Sequence, residues 1–289
     1  MTPSEGIIRC RGWLNGDNVM HLKRWITGLA AVPFLVFIIV KGGLIFTGFI
    51  GIIALIAQWE YFRIVFSSRR GNSERFMMLL AYIFVLFITG AAHRHAVDFI
   101  LHLVVLNFIL ANCMAIIQFK YDKMIFESAQ KQSLGVVYVP LLLSYVILVR
   151  DGTGAEGIRW IFFLLCVVFA GDIGALYAGT FLGKHKLNPA VSPKKTIEGS
   201  LGGICANVAV GACFKIFFLP QLSWVLSLLF FISLGIAGQM GDLFESGLKR
   251  VAHVKDSGMI LPGHGGILDR ADALMFAAPV AFMFKEYLF

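Results

Sequence analysis

Charge is scarce in this sequence. Only 15% of its 289 residues are Asp, Glu, Lys or Arg, where a soluble domain carries about a quarter. With 58% of residues hydrophobic and a mean hydropathy of +0.80, a soluble globular core is excluded. Cysteine pairs are missing too: none of Cys10, Cys113, Cys166, Cys205 and Cys213 forms a C-x-x-C motif. Neither a zinc site nor a disulfide framework follows, and the four cysteines inside apolar runs are expected to be small buried apolar residues. A cleavable leader is not expected, because the first apolar run starts near Trp25 after a polar lead and no small-residue cleavage pattern follows. Internal repeats, low-complexity tracts and a separate soluble domain are absent as well. The net charge of +8 comes without a basic stripe interleaved with aromatics, so nucleic acid is not an expected partner.

Apolar runs of spanning length fill the rest. A bilayer span needs roughly 17 to 25 mostly apolar residues, and about nine segments qualify: 25–40, 44–66, 76–92, 96–117, 133–149, 160–182, 199–219, 222–243 and 271–289. The expected fold is an all-α polytopic membrane helix bundle, one domain over 1–289, with residues 1–24 as a cytoplasmic lead. Lys41-Gly42-Gly43 is a candidate tight turn. With the N-terminus inside, 19 of the 25 Lys and Arg residues fall on the cytoplasmic side. Lys41, Arg94, Arg150, Arg159, Lys215 and Lys285 remain outside, and this bias sets orientation. Trp25, Trp59, Trp160 and Trp224 sit near expected span ends, where amphipathic rings prefer the interface. The expected location is the cytoplasmic membrane, with the basic loops facing the cytoplasm.

Two of those loops, 183–198 and 245–270, hold more polar chemistry than a crossing needs. Three features stand out within the region 171–272. Asp172 lies inside an apolar run, where a carboxylate costs roughly 2.5–3.5 kcal/mol and needs a partner or a water-filled cavity; Asp242 raises the same question. Ser192-Pro193-Lys194-Lys195-Thr196 precedes an apolar helix, so two ammonium groups, hydroxyls and a helix N-terminus could cradle phosphate oxygens. The bland alternative is a topology-setting loop with Thr196 as N-cap. The third feature runs from Ser246 through Lys249-Arg250, Lys255-Asp256 and Gly263-His264-Gly265-Gly266 to Asp269-Arg270-Ala271-Asp272. It combines hard-oxygen donors suited to Mg²⁺, cations that spread phosphate charge, and a glycine turn that lets backbone approach closely. Asp269 and Asp272, three apart, share a face if helical. His264 suits a hydrogen-bond donor or positioning role, because a phosphate monoester nucleophile is already ionised and needs no base.

This third stretch resembles the signature of the phosphatidate cytidylyltransferase (CDP-diglyceride synthase) family: Ser, Lys-Arg, four residues, Lys-Asp, then Pro-x-His-Gly-Gly and Asp-Arg-x-Asp. Residues 171–199 are similar to the same family, and Arg24-x-x-Thr27-Gly28 agrees with it in the N-terminal half. Ala271, Ile173, Leu176, Thr180 and Ile197 depart from its usual residues, Thr180 replacing a basic one. The resemblance implies that phosphatidate and CTP give CDP-diacylglycerol and pyrophosphate, with Mg²⁺ and room for a second cation. It implies Asp242 and Asp269 as principal metal ligands, with Asp172 and Asp272 behind them. Lys249, Arg250, His264 and Arg270 are then catalytic candidates, and Ser192, Lys194, Lys195, Thr196, Ser246 and Lys255 substrate-binding ones. A homodimer is compatible with the family. Two alternatives differ in observables: a CTP-dependent polyprenol kinase would release CDP, and a transporter would spread its polar residues through the spans.

Overall fold

The structure is a computed structural model that describes residues 32–67, 71–151, 154–218, 220, 222–254, 257–258 and 265–288. Within them, every expected apolar segment is helical. Helix α1 (Val32–Lys41) turns into α2 (Gly43–Val65), followed by α3 (Asn72–His93) and α4 (Val97–Gln118). Next, α5 (Ile125–Val136), a π-helical turn (Val137–Leu141) and α6 (Leu142–Asp151) form one 27-residue rod. Pro140 lies in that turn, and a proline that removes a helical hydrogen bond accounts for the local widening. Helices α7 (Ala155–Leu182), α8 (Ile197–Phe218), α9 (Trp224–Val251) and α10 (Leu268–Met283) complete the bundle. Of the described helices, α2, α3, α4, the rod, α7, α8 and α9 are long and apolar enough to cross a membrane; α1 and α10 fall short of that length.

Several expectations need correction. The segment 183–198 is not an open loop: β1 (Lys186–Asn188) and β2 (Ser192–Thr196) pair antiparallel. Asn188 Oδ1 accepts the Val191 N–H at 3.3 Å across the Pro189 turn, the local side-chain bond that lets Asn open a turn. Second, Cys113, Cys166, Cys205 and Cys213 are exposed rather than buried. In a bilayer, lipid solvates an outward-facing apolar side chain, so protein burial is not required. Third, Trp59 and Trp224 are exposed as expected of interface anchors, but Trp160 is buried and packs on Phe163 and Phe230, with ring centroids 6.0 and 5.8 Å away.

The rod also begins eight residues before the expected 133, because hydropathy penalises polar residues that satisfy one another. Ser128 donates to Glu74 Oε1 at 3.2 Å. Gln132 and Asn107, both buried, exchange hydrogen bonds at 2.8 and 3.4 Å. Paired amides of this kind join membrane helices without leaving polar groups facing hydrocarbon.

The α1–α2 turn confirms the Lys41-Gly42-Gly43 reading and shows what fixes it. Arg150, buried at the end of α6, donates to the carbonyls of Ile39 (2.5 Å) and Val40 (2.9 Å) at the C-terminus of α1. Asp151 Oδ1 accepts the Gly43 N–H at 3.2 Å at the N-terminus of α2. A cation thus meets one helix C-terminus and an anion the next N-terminus, satisfying end groups and complementing both dipoles. Gly42 and Gly43 have φ of 62° and 55°, and a Cβ on Gly42, but not on Gly43, would run into the Arg150 guanidinium. Gly42→Ala should therefore destabilise the protein by more than the ~1–3 kcal/mol of backbone strain alone, and Gly43→Ala by the strain alone. Thermal unfolding midpoints in detergent check the order.

Helices α7 and α8 approach closely where Gly174 faces Ala206 and Gly202 faces Ala178, neither glycine leaving room for a Cβ. Small residues permit this backbone contact. It brings the C-terminal half of α7 against the start of α8, and with α9 and α10 these elements meet at one end of the bundle. The α1–α2 turn and the ends of α3 and α6 lie at the other end.

Candidate functional site

At the first of those ends lies a cavity of about 630 Å³. All four aspartates singled out in the sequence line it: Asp172 from α7, Asp242 from α9, and Asp269 and Asp272 from α10. Lys186, Lys194, Lys195 and Thr196 line it from the hairpin. The charge of Asp242 bears on both Asp172 and Asp272, and that of Asp172 bears on Asp272. Three carboxylates from three helices therefore form one electrostatic group. Lys195 Nζ meets Asp242 Oδ2 at 2.5 Å, and the charges of Lys195 and Arg270 also reach Asp172.

The hairpin is held in place from both sides. Thr196, buried, accepts the Gly199 N–H on Oγ1 at 3.1 Å, the N-cap bond that starts α8. Glu198 accepts the N–H groups of Lys184 (3.1 Å) and His185 (3.2 Å) and meets His185 Nδ1 at 2.7 Å. From the other side, Arg250 donates to the Val191 carbonyl at 3.0 Å. Arg250 is thus a strut for the hairpin turn, and Ser192 stands in that hairpin opposite Asn188. Neither is among the residues that line the cavity, whereas Thr180, in place of the family's basic residue, is.

Behind the cavity, Lys249 lies between two carboxylates, 2.6 Å from Glu245 Oε2 and 2.7 Å from Asp269 Oδ1. Asp269 Oδ2 accepts the N–H of Gly266 at 2.8 Å, the N–H of Ser257 at 3.1 Å and the Ser257 hydroxyl at 2.9 Å. Both oxygens of Asp269 are engaged, and the carboxylate ties the start of α10 to the preceding segment and to α9. Among the described residues, in contrast, Asp242 Oδ1 has only a long 3.5 Å contact from Ser246 Oγ. Lys255 and His264 lie outside the described residues.

Sequence reasoning missed Glu60. This α2 carboxylate is fully buried and accepts the Leu268 N–H on Oε2 at 2.8 Å, with the Ser257 hydroxyl 3.3 Å from the same atom. It adds a carboxylate from another helix at the N-terminus of α10, beside Asp269 of α10's own first turn. Its position beside Tyr61 near the end of an apolar run gave no signal, since the partners lie 197 and 208 residues away. Glu60→Ala should cost roughly 1–3 kcal/mol by stranding the Leu268 N–H. Glu60→Gln, which keeps an acceptor oxygen, should recover part of it; detergent melting curves compare the two. Ser200 and Gln239, which also line the cavity, were missed for a similar reason: each is an unremarkable polar residue until the helices pack.

The donor set suits a hard divalent cation, since every acidic group in the cavity offers carboxylate oxygen. Among the described residues no three His, Cys, Asp or Glu side chains are close enough to hold a metal by themselves. That fits Mg²⁺, which is usually held by one or two carboxylates, with water and substrate phosphate completing its shell.

Comparison with known proteins agrees with this chemistry. A family model described as "Cytidylyltransferase family" matches residues 22–288. The chain is 37% identical over 263 residues to a phosphatidate cytidylyltransferase of Staphylococcus epidermidis, covering 89% of this chain and 96% of the relative. It is 32% identical over 257 residues to the phosphatidate cytidylyltransferase of Bacillus subtilis, covering 89% and 94%. It is 34% identical over 261 residues to that of Staphylococcus aureus, covering 89% and 96%.

Proposed function

The chain belongs to the cytidylyltransferase family, and from that premise we propose that it transfers the cytidylyl group of CTP to phosphatidate, giving CDP-diacylglycerol and pyrophosphate. The observation that carries the reading is the convergence of four aspartates and three lysines on one cavity at one end of an apolar bundle. A lipid phosphate reaches such a place from the membrane, and a nucleotide triphosphate from the water. The lysine-rich hairpin faces the side from which the nucleotide comes. We place the protein in the cytoplasmic membrane with this cavity toward the cytoplasm and the N-terminus inside, in keeping with the distribution of Lys and Arg.

In the proposed reaction a phosphatidate oxygen forms a bond to the α-phosphorus of CTP. The bond from that phosphorus to the bridging oxygen of the β-phosphate breaks, and its electron pair leaves on pyrophosphate. The chemistry is mostly positioning and charge neutralisation. Lys194 and Lys195 neutralise phosphate oxygens, with Lys195 exchanging Asp242 for substrate. Arg270 adds positive charge beside Asp172. Asp242, with either Asp172 or Asp272 and with water and substrate phosphate, would hold Mg²⁺, which when bound draws charge from the reacting phosphates. Asp269, already bonded on both oxygens, keeps α10 and Lys249 in register with that group. Arg250 and Glu198 hold the hairpin over it.

The test is a detergent-solubilised assay with labelled CTP and phosphatidate, with and without Mg²⁺. Labelled CDP-diacylglycerol and released pyrophosphate are expected, both lost when the cation is chelated. Release of CDP with a newly phosphorylated lipid would replace this reading by a kinase.

A further inference from the structure

The π-helical turn of the rod sets one buried side chain against the site from outside the region 171–272. Tyr138 lies in that turn, and single widened turns of this kind are frequent at functional sites. Its ring packs on Phe244 of α9 (centroids 4.8 Å apart), Tyr61 of α2 (6.0 Å) and Phe276 of α10 (6.2 Å). Phe244 adjoins Glu245 in the chain, and Phe276 follows Asp272 by one turn of α10. The Tyr138 hydroxyl has no hydrogen-bond partner among the described residues, although the residue is only 2% exposed. Glu245, 1% exposed, gives its Oε2 to Lys249 at 2.6 Å, but its Oε1 has no partner among the described residues either. Of the side-chain charges that reach Tyr138, that of Glu245 is felt most and that of Asp272 next. A donor without an acceptor and an acceptor without a donor thus lie near each other in buried surroundings, where leaving either unmatched is costly.

Resting on the cytidylyltransferase reading, we propose that Tyr138 is a positioning residue, its hydroxyl holding Glu245 through one buried water and so fixing Lys249 and Asp269. Buried waters bridge groups of this kind, taking two or more polar partners each. The phenol donates its hydrogen to the water, and the water donates one of its own to Glu245 Oε1. The terminal torsion of a glutamate is soft, so a carboxylate held at one oxygen alone can swing. Held at both, Glu245 keeps Oε2 on the Lys249 ammonium, which stays 2.7 Å from Asp269 Oδ1. The start of α10, with Asp272, then keeps its place against α9. The rod, from the N-terminal half of the chain, becomes a support of the reacting end.

The experiment measures cytidylyl transfer by detergent-solubilised wild type, Tyr138→Phe, Tyr61→Phe, Glu245→Gln and the Tyr138→Phe/Glu245→Gln double variant, each below its melting midpoint. Values of kcat and of KM for CTP and phosphatidate are determined separately. Tyr138→Phe keeps the ring, so kcat should fall about tenfold, the scale of one hydrogen bond to a charged group, with both KM values unchanged. Glu245→Gln should lower kcat as well, and adding Tyr138→Phe to it should lower kcat no further, because both act on one contact. Tyr61→Phe removes a hydroxyl from the same aromatic cluster, one that donates to the Lys131 carbonyl at 2.9 Å, and should keep the wild-type kcat. Wild-type kcat in Tyr138→Phe, losses that multiply in the double variant, or an equal loss in Tyr61→Phe would each overturn the positioning role and leave the transferase reading intact. If Glu245→Gln does not fold, the comparison of Tyr138→Phe with Tyr61→Phe decides alone. A wild type that transfers nothing would remove both.

Discussion

Asp242→Asn should lower turnover by on the order of 10²–10³-fold, the scale seen when one preorganised electrostatic contact at a reacting centre is removed, while the protein inserts and melts as the wild type does. The loss follows from position. Asp242 is the carboxylate whose charge bears on both Asp172 and Asp272, and its loosely held Oδ1 is the oxygen most available to a cation. The spared stability follows from exposure. The Lys195 and Asp242 side chains are 26% and 39% exposed, and ion pairs this open contribute about 1 kcal/mol or less to folding. Asparagine keeps the shape and one acceptor oxygen, so Lys195 retains a partner. Turnover is read with labelled CTP at several Mg²⁺ concentrations, and folding by the melting midpoint. Wild-type turnover in this variant would remove Asp242 from the ion-holding group and leave the cavity without its central carboxylate.

The membrane class and the helical segments were legible because hydropathy reports on a single residue's preference for lipid, and spans are sums of such preferences. The start of the rod at Ile125 was not, because Gln132 is tolerable only opposite Asn107, and that pairing is a property of two helices at once. The four aspartates were legible as a set, since each is costly in its own surroundings and the costs called for an explanation. Their division of labour was not: Asp242 and Asp269 look alike in sequence. Only the packed structure shows one with a nearly open oxygen and the other bonded to Lys249, Ser257 and Gly266. Arg250 follows the same pattern, since its bond to the Val191 carbonyl depends on a hairpin that a polar, glycine-bounded stretch did not announce. Glu60 is the extreme case, a buried anion whose purpose lies at the far end of the chain.

That contrast between the two aspartates yields the second large effect. Asp269→Asn should also abolish most turnover, but unlike Asp242→Asn it should lower the melting midpoint. An asparagine offers one oxygen and one NH₂ where the carboxylate offers two oxygens. Whichever way it turns, its NH₂ faces donors: the Lys249 ammonium on one side, or the N–H groups of Ser257 and Gly266 on the other. Removing the charge also leaves Glu245, almost fully buried, as the sole carboxylate beside Lys249 among the described residues. Hydrogen bonds to charged groups contribute about 1.5–3 kcal/mol each, so a clear drop in stability is expected. Lost turnover follows because the start of α10, which also carries Asp272, is no longer tied to α9. Melting curves and CTP assays on the two variants, run side by side, separate the roles. Turnover lost with a wild-type midpoint in Asp269→Asn would instead place Asp269 among the groups that hold the ion, alongside Asp242.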